Sequence, residues 1–373
     1  MENDFRHSRQ EKNQMKKSSV KKVVLIVLLI VLGLMGVMVA SAYTVFKTGY
    51  YGKTNYVENT GYTVKKELQP ETYLDEEGNV QVETEATLDS EMESEMISRQ
   101  ENLMTGLADE IGKTTGTYNL LLIGVDRRDS SWNGNSDVMM LVTVNDDKKT
   151  IYMTSFLRDL YANIPEVGVR KLNAACAYGG AELCVETIRR NYGVEIDNYA
   201  MVDFNAMIAI VDALGGIELE LTEDEVRVAN DYVRTMCEAN NEPYENHVLS
   251  GSGMMHLDGY QAVGYSRNRY SGVGSDFGRT ERQRKVLLAI FEKAQSDGLG
   301  SLNTLLKSVL PYLTHDMDEM TVLKLLTQVN DWMDYDVEEL HVPFDNMYHS
   351  QNEILIPDDM EETITKLRET IYG

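Results

Sequence analysis

An uninterrupted apolar run near the N-terminus is the feature that most restricts how this chain folds. The run Val23–Phe46 contains no charged side chain, and about 20 apolar residues suffice to cross a bilayer as a helix. The basic residues before it are Arg6, Arg9, Lys12, Lys16, Lys17, Lys21 and Lys22. Because positive flanks stay in the cytoplasm, the pattern predicts a cytoplasmic tail (1–22), one transmembrane helix (23–46) and everything after Lys47 outside the cell membrane.

A cleaved signal peptide is the alternative to this membrane anchor. The sequence Ala40-Ser41-Ala42 resembles a signal cleavage site. The apolar run before it is longer than a usual signal core, which favours an uncleaved single-pass anchor.

Residues 47–117 are typical of an acidic extracytoplasmic stalk. The stretch ETYLDEEGNVQVETEATLDSEMESEM has few apolar residues at a fixed period, so it predicts no core of its own. Its outer end, from about Ser90 to Ile111, is compatible with a helix. A solvated spacer is the expected role.

From Tyr118 onward, short apolar runs alternate with helical patterns. The predicted strands are 118–125, 137–145, 150–156, 198–204, 338–344 and 353–357. The predicted helices are 173–193, 204–216, a long amphipathic helix after Arg279, 301–313, 319–332 and a last one from Asp358. This alternation predicts an α/β fold, a layered α-β-α domain with a central mixed sheet over residues 118–373.

Charge and cysteine content exclude some classes of function. The formal net charge of −25 argues against nucleic-acid binding, which requires a positive surface. The cysteines Cys176, Cys184 and Cys237 do not form a disulfide framework and are expected to be buried thiols.

Two aspartates flank the turn between the first two predicted strands. Asp126 follows the first strand and Asp137 precedes the second, so the loop can bring them together. Carboxylate oxygens are ligands that Mg2+ prefers. The alternative is that both are turn or cap residues, as Asp commonly is.

Two further positions suggest anion chemistry. Arg158 and Asp159 follow the third strand, on the same side as Asp126 if the strands are parallel; a structural ion pair is the alternative. Lys171 lies before a predicted helix start, where an anion can bind; the alternative is a surface lysine.

The stretch GYSRNRYSGVGSDFGRTERQRK concentrates arginines in an acidic chain. Arg267 and Arg269 alternate, as in an extended segment with both side chains on one face. Arg279, Arg282 and Gln283 fall on one face of the next helix's first turn. Cations are unfavourable at a helix N-terminus, so a bound anion would offset the repulsion between these arginines and the helix dipole. The planar guanidinium of Arg also suits contact with phosphate.

The same helix carries an apolar stripe below these polar residues. Val286, Leu287 and Ile290 continue the face of Arg279 and Gln283. A ligand with a phosphate head and a hydrocarbon tail would fit such a helix. The alternative is that the stripe belongs to the core, as most such stripes do.

Taken together, the motifs resemble the LytR-CpsA-Psr (LCP) family. They occur in the order NLLLIGVDRR, NSDVMMLVTVN, TSFLRD, KLNAACAYGG, VDFNAMIAIVDALGGI, MHLDGYQAVGYSRNR and DFGRTERQRK, within 118–294. The resemblance implies a phosphotransferase that moves a glycopolymer from a polyprenyl-pyrophosphate lipid to peptidoglycan through a phosphodiester bond, in a Gram-positive-type bacterium.

The resemblance also implies roles for residues. Asp126 and Asp137 match metal-binding positions for Mg2+ or a similar divalent ion and are assigned to catalysis with Arg158. The pyrophosphate-binding positions are Arg158, Lys171, Arg267, Arg269, Arg279 and Gln283; Asp276 matches the acidic position of the last motif, and Arg128 and Arg282 are secondary candidates. The general base is not assigned.

One position departs from the family pattern, and two other functions stay open. Leu157 stands where the family usually has Pro, which frees a backbone N–H and puts the loop geometry in question. A pyrophosphatase that uses water as the acceptor is one alternative function. A membrane-bound regulator that binds polyprenyl phosphate without turnover is the other.

Overall fold

The structure is a computed structural model that describes residues 42–65, 68, 72–74, 80–82, 88, 90–107, 116–126, 133–268, 282–283, 285–286, 289–290, 293, 310–332 and 334–373. The chain divides into two compact units. Unit 1 comprises Met1–Leu68, Glu85–Met201 and Thr314–Gly373, and unit 2 comprises Gln69–Thr84 and Val202–Leu313. The assignment of 118–373 to one domain stays a prediction.

The strands and helices follow in chain order. The strands are β1 (Asn55–Tyr56), β2 (Thr72–Leu74), β3 (Val80–Val82), β4 (Thr117–Asp126), β5 (Asn135–Asn145), β6 (Thr150–Phe156), β7 (Tyr161–Ile164), β8 (Gly168–Lys171), β9 (Asn198–Asp203), β10 (Ile217–Leu221), β11 (Gly253–Leu257), β12 (Thr314–His315), β13 (Asp336–Val342), β14 (Tyr348–Gln351) and β15 (Ile354–Pro357). The helices are α1 (Ala42–Gly49), α2 (Ser90–Leu107), α3 (Ala174–Tyr192), α4 (Phe204–Ala213), α5 (Glu223–Asn240), α6 (Gly259–Ser266), α7 (Glu319–Trp332) and α8 (Met360–Ile371).

A seven-stranded mixed sheet is the centre of unit 1. Its order is β1-β12-β9-β4-β5-β6-β13, and all of it except the last two residues of β9 belongs to unit 1. The pairs β12–β9, β4–β5 and β5–β6 are antiparallel, whereas β1–β12 and β6–β13 are parallel. The predicted α/β class with a central mixed sheet is confirmed.

The core of unit 1 forms where the apolar strands meet the helices. Leu121 of β4, Leu141 of β5 and Phe156 of β6 are buried in one cluster with Ile188 of α3 and Leu367 of α8. These strands are near-continuous apolar runs, as expected for buried strands. The strands and helices predicted for this part of the chain agree with the structure to within a few residues.

Helix α3 is broken in the middle and closed by glycine, because its sequence contains a Gly pair and a terminal Gly. Gly180 has φ 73 and ψ −165, which interrupts the helical backbone. Gly193 has φ 62 and ψ 30 and donates its N–H to the Arg189 carbonyl, an αL C-cap that glycine favours. The predicted Gly at the helix end is therefore confirmed.

The acidic segment contributes to unit 1, although its composition predicted a solvated spacer. Leu88 lies in a cluster with Tyr161 and Ile356, against which Met92 and Met96 pack. The predicted helix near Ser90 is present as α2. A few apolar side chains are enough to hold α2 on unit 1, because this helix packs on an existing surface and needs no core of its own.

The last residues of the apolar run also belong to unit 1. Phe46 in α1 is buried and its ring packs against Tyr51. The apolar run as far as Ser41 lies outside the described residues. Within the part of the chain that the structure describes, no helix is both long enough and apolar enough to span a membrane.

Unit 2 combines helices α4, α5 and α6 with the antiparallel pair β10–β11. Val233 and Cys237 of α5 pack with Val263 of α6. Capping boxes fix the start of both helices, Thr222 with Glu225 and Asp258 with Gln261. The described positions between 282 and 293 are helical, as predicted after Arg279. Of the helix predicted over 301–313, the structure describes only a 3-10 turn at Leu310–Tyr312.

The cysteines are buried thiols, as the sequence predicted. Cys176, Cys184 and Cys237 are free. Burial raises the pKa of the Cys184 thiol to about 12, which makes it unreactive.

Candidate active site

The candidate site lies at one edge of the sheet in unit 1. Strands β4 and β6 both run antiparallel to β5, so their carboxyl ends and the start of β5 share this edge. Met139 is paired with Phe156; two residues beyond this pair, at the same edge, stand Asp137 and Arg158. The topology thus places Arg158 on the same side as Asp126, as predicted.

Asp137 is the extra residue of a β-bulge. Gly124 is paired with Val138 and Val125 with Ser136, so Asp137 faces no residue of β4 in the ladder. The sequence predicted Asp137 just before this strand, but β5 already begins at Asn135. Bulges redirect a side chain and are frequent beside active sites.

The Asp137 carboxylate forms an ion pair with Arg158. The distance from Arg158 Nη1 to Asp137 Oδ1 is 2.6 Å, and the two side chains are 3% and 7% exposed. Arg158 Nε also donates to Asp159 Oδ1 at 3.2 Å. The structural ion pair that was the alternative for Arg158 and Asp159 is therefore present, and the catalytic role of Arg158 stays a prediction.

Backbone hydrogen bonds hold the turn that carries Arg158. The Arg158 carbonyl accepts from the Asn173 N–H at 3.0 Å, and the Asp159 carbonyl accepts from the Leu355 N–H at 2.8 Å. The Asn173 carbonyl accepts in turn from the Ser136 N–H at 3.1 Å. Since Asn173 precedes α3 and Ser136 precedes Asp137, the guanidinium and its carboxylate partner are positioned by the same network.

Leu157 uses the N–H that a proline would lack. Its N–H donates to the Val342 carbonyl of β13 at 3.0 Å. The turn geometry that the sequence left in question is thus fixed by an additional bond to the neighbouring strand.

Lys171 completes the charged cluster. Its side chain is 9% exposed, and Nζ lies 3.3 Å from Asp159 Oδ1 and 3.0 Å from Glu353 Oε2. The alternative of a surface lysine is therefore wrong. Burial opposes its charge, but Asp159 and Glu353 outweigh burial and raise the pKa of Lys171, so the side chain stays an ammonium.

Two cations and three carboxylates alternate in this cluster, in the order Asp137, Arg158, Asp159, Lys171 and Glu353. The Arg158 guanidinium and the Lys171 ammonium share the Asp159 oxygen. Desolvated charges interact strongly, so the carboxylates hold both cations in fixed positions.

The metal assignment rests on Asp126 and Asp137. Asp126 is opposite Asn135 in the ladder, two residues before Asp137, so the backbone brings both residues to one end of the hairpin; the Asp126 side chain lies outside the described residues. Oxygen donors of this type fit Mg2+. Among the described side chains there is no group of three or more His, Cys, Asp or Glu residues that could hold a metal ion.

Other predicted phosphate contacts belong to unit 2. The Arg267 guanidinium lies 5.2 Å from the centre of the Phe204 ring and 5.0 Å from that of Tyr232, so aromatic faces hold it. Gln283 is buried. Arg282 donates to Glu225 and to the Asn268 carbonyl, both at 3.1 Å, which indicates a structural role.

Several predicted residues lie outside the described part of the chain: Arg128, Arg269, Asp276, Arg279 and Leu287. Val286 and Ile290 are 0% and 6% exposed in unit 2. Their burial fits the alternative that the stripe belongs to the core, and the lipid-binding role stays a prediction.

Comparison with known proteins identifies the family. The model of the LytR_cpsA_psr family matches residues 74–369. The chain belongs to the LytR_cpsA_psr family. The resemblance drawn from the motifs is confirmed, and the match begins inside the segment that was predicted as a stalk.

Curated relatives in this family have two kinds of name. The "Polyisoprenyl-teichoic acid--peptidoglycan teichoic acid transferase TagU" of Enterococcus faecalis is 32% identical over 214 residues, which cover 56% of this chain and 65% of the relative. "Biofilm regulatory protein A" of Streptococcus mutans is 32% identical over 236 residues, which cover 60% of this chain and 56% of the relative. The chain thus spans less than two thirds of each.

A solved structure shares the fold. Protein gbs0355 from Streptococcus agalactiae superposes with a TM-score of 0.52 and 23% sequence identity, over 71% of this chain and 90% of that one. This likeness supports the mixed α/β fold of the chain.

Two members of the cluster carried little sequence signal. The sequence indicates Asp159 only as a possible ion-pair partner, although it joins Arg158 to Lys171. The pattern predicts Glu353 as the start of a late strand and does not indicate its contact with Lys171. The long separation of residues 171 and 353 hides that contact from any local pattern.

Proposed function

We propose that this protein is a transferase that attaches a glycopolymer to peptidoglycan through a phosphodiester bond. The donor is a polyprenyl-pyrophosphate-linked glycopolymer. The reaction takes place outside the membrane of a Gram-positive-type bacterium.

The cluster around Asp159 Oδ1 carries this proposal. Arg158 and Lys171 are buried cations that carboxylate partners hold in place, and backbone bonds fix the turn that carries Arg158. A bidentate guanidinium and a nearby ammonium match the oxygens of a pyrophosphate. Family membership and the transferase name of the Enterococcus faecalis relative favour transfer over binding alone.

The chemistry consists of positioning and charge stabilisation. A peptidoglycan hydroxyl attacks the sugar-proximal phosphorus, forming a new P–O bond while the bridging P–O bond breaks. Lipid monophosphate leaves and the hydroxyl proton is released. Arg158 and Lys171 stabilise the negative charge that develops on the phosphoryl oxygens. Asp137 holds the guanidinium in place.

Asp126 and Asp137 are the residues that would hold Mg2+. The ion, when bound, would supply positive charge beside the pyrophosphate oxygens. Asp137 would thus have a second task beside orienting Arg158. Asp126, Asp137 or Arg158, the last acting electrostatically, would assist the hydroxyl.

The candidate residues between 267 and 290 keep their predicted roles in this proposal. Arg267, Arg269, Arg279 and Gln283 are assigned to the pyrophosphate, and Val286, Leu287 and Ile290 to the hydrocarbon tail. The ring faces of Phe204 and Tyr232 hold the Arg267 guanidinium, which suits this role.

We also propose the arrangement of the whole chain. A transmembrane helix over 23–46 and an acidic segment over 47–117 carry the protein outside the cell, with a layered α-β-α fold beyond them. The basic flank before Val23 and the uncharged run support this topology.

Incubation of the full-length chain with labelled lipid-linked glycopolymer, with and without peptidoglycan, tests the proposal. We expect label on peptidoglycan only when both are present. Label released into water at the same rate without peptidoglycan would instead identify a pyrophosphatase. Tight lipid binding with no product would identify a non-catalytic binder, and mass spectrometry of the co-purified lipid would identify what is bound.

A further inference from the structure

Glu353 occupies the turn of the β14–β15 hairpin and reaches back to Lys171. Its Oε2 lies 3.0 Å from Lys171 Nζ. The lysine is 9% exposed, whereas the glutamate side chain is 77% exposed. One partner is thus inside the cluster and the other in water.

The backbone of this turn is unusual for a glutamate. Asn352 has φ 49 and Glu353 has φ 62. Two left-handed residues in a two-residue hairpin turn favour Asn followed by Gly, because a side chain at this φ meets the backbone. The carboxylate therefore stands where backbone preference alone would place glycine.

The base of the hairpin is fixed, so only the tip has freedom to change. Ile354 and Ile356 are buried, and the Leu355 N–H donates to the Asp159 carbonyl at 2.8 Å. Breaking the contact between Lys171 and Glu353 requires only a rotation of the Glu353 side chain.

The two carboxylates on Lys171 differ in how firmly they are held. The Asp159 side chain is 10% exposed and also accepts from Arg158. Exposed ion pairs are weak, whereas buried ones are costly to break. An arriving anion would therefore displace Glu353 and leave Asp159 in place.

We propose that Glu353 is a gating residue that holds the pyrophosphate position at Lys171 until the substrate displaces it. This inference rests on the proposed function, since it takes Lys171 as a pyrophosphate contact. A carboxylate carries one negative charge, so an anion with more charge competes well and a weakly charged one does not. Glu353 thereby makes the site selective for pyrophosphate over less highly charged anions such as orthophosphate.

Glu166 offers a matched control for Glu353. It is an exposed glutamate with φ 65 in the turn of the β7–β8 hairpin. Lys171 is paired with Tyr161, at the other end of that hairpin from the closing pair Ile164–Gly168. Three residues of strand, about 10 Å, thus separate Lys171 from the turn of Glu166.

Calorimetric titration of the full-length chain in detergent with pyrophosphate, and separately with orthophosphate, tests the inference. We expect Glu353→Gln to bind pyrophosphate up to about fivefold more tightly, the equivalent of one exposed ion pair. We expect its preference for pyrophosphate over orthophosphate to narrow. Glu166→Gln should match the wild type, and Lys171→Gln should lose most of the binding.

The outcomes separate this inference from the proposed function. If Lys171→Gln binds pyrophosphate as the wild type does, the pyrophosphate site itself is misassigned. If Lys171→Gln loses binding while Glu353→Gln binds no more tightly than the wild type, gating is overturned and the site stands. A lower melting temperature of Glu353→Gln without tighter binding would show that the ion pair is only structural.

Discussion

Asp137 and Arg158 form the most buried ion pair of the candidate site, with 2.6 Å between Oδ1 and Nη1. The first prediction concerns the contribution of this pair to the stability of the protein. Asp137→Ala leaves a buried guanidinium without this partner, so we expect the free energy of unfolding to fall by about 3–5 kcal/mol. Urea unfolding followed by far-UV circular dichroism measures the loss.

A double variant provides the control for this pair. Asp137→Ala combined with Arg158→Met removes both charges, and we expect it to be more stable than Asp137→Ala alone. A double variant that loses at least the sum of the two single losses would contradict a coupling between these residues.

The second prediction concerns the bond from Leu157 to β13. Leu157→Pro removes the N–H that donates to the Val342 carbonyl, so we expect a loss of about 1 kcal/mol from the missing bond. Leu157→Ala keeps the N–H, and the difference in melting temperature between the two variants isolates the bond. Equal melting temperatures would mean that the N–H contributes nothing.

The third prediction compares two glycines of α3. Gly180 has φ 73 and ψ −165, a region that other residues rarely adopt, so Gly180→Ala should cost about 1–3 kcal/mol. Gly193 has φ 62 and ψ 30, where Ala costs about 1 kcal/mol. In thermal unfolding, Gly180→Ala should therefore have a lower melting temperature than Gly193→Ala. The reverse order would be inconsistent with the described break in the helix.

The fourth prediction concerns pH. Burial lowers the pKa of His315 from 6.5 to about 4, so the folded state disfavours the imidazolium. The stabilisation from this group is present above pH 6.5 and is lost as pH falls towards 4, by up to about 3 kcal/mol. His315→Gln does not titrate, and its stability should depend less on pH over this range. Parallel pH profiles for wild type and variant would exclude His315 as the source.

The sequence predicted the strands of unit 1 well because their apolar runs are long and strongly patterned. The order of the strands also predicted that Asp126, Asp137 and Arg158 lie at the same edge of the sheet. The bulge at Asp137 did not, since it depends on the pairing of two strands, and neither did the contact of Lys171 with Glu353, which is set by tertiary packing. Composition did not predict the packing of Leu88 and α2 for the same reason. It indicates how an isolated segment interacts with water, not which surface of the folded protein the segment contacts.

The last prediction concerns the activity of Arg158. Arg158→Ala removes a guanidinium assigned to the developing phosphoryl charge, so transfer of glycopolymer should fall by about a hundredfold or more, whereas lipid binding, shared among several groups, should weaken far less. Single-turnover transfer and binding of the same lipid, measured side by side, separate the two effects.

Arg190→Ala is the matched control for this activity loss, because Arg190 is also paired with a carboxylate, at 2.6 Å from Glu186, but is 61% exposed. We expect it to transfer at the wild-type rate. Arg158→Lys keeps a positive charge but loses the planar donor geometry, so an intermediate rate would assign part of the effect to charge and part to geometry. Transfer by Arg158→Ala at the rate of Arg190→Ala would remove Arg158 from catalysis and leave it as the structural partner of Asp137 and Asp159.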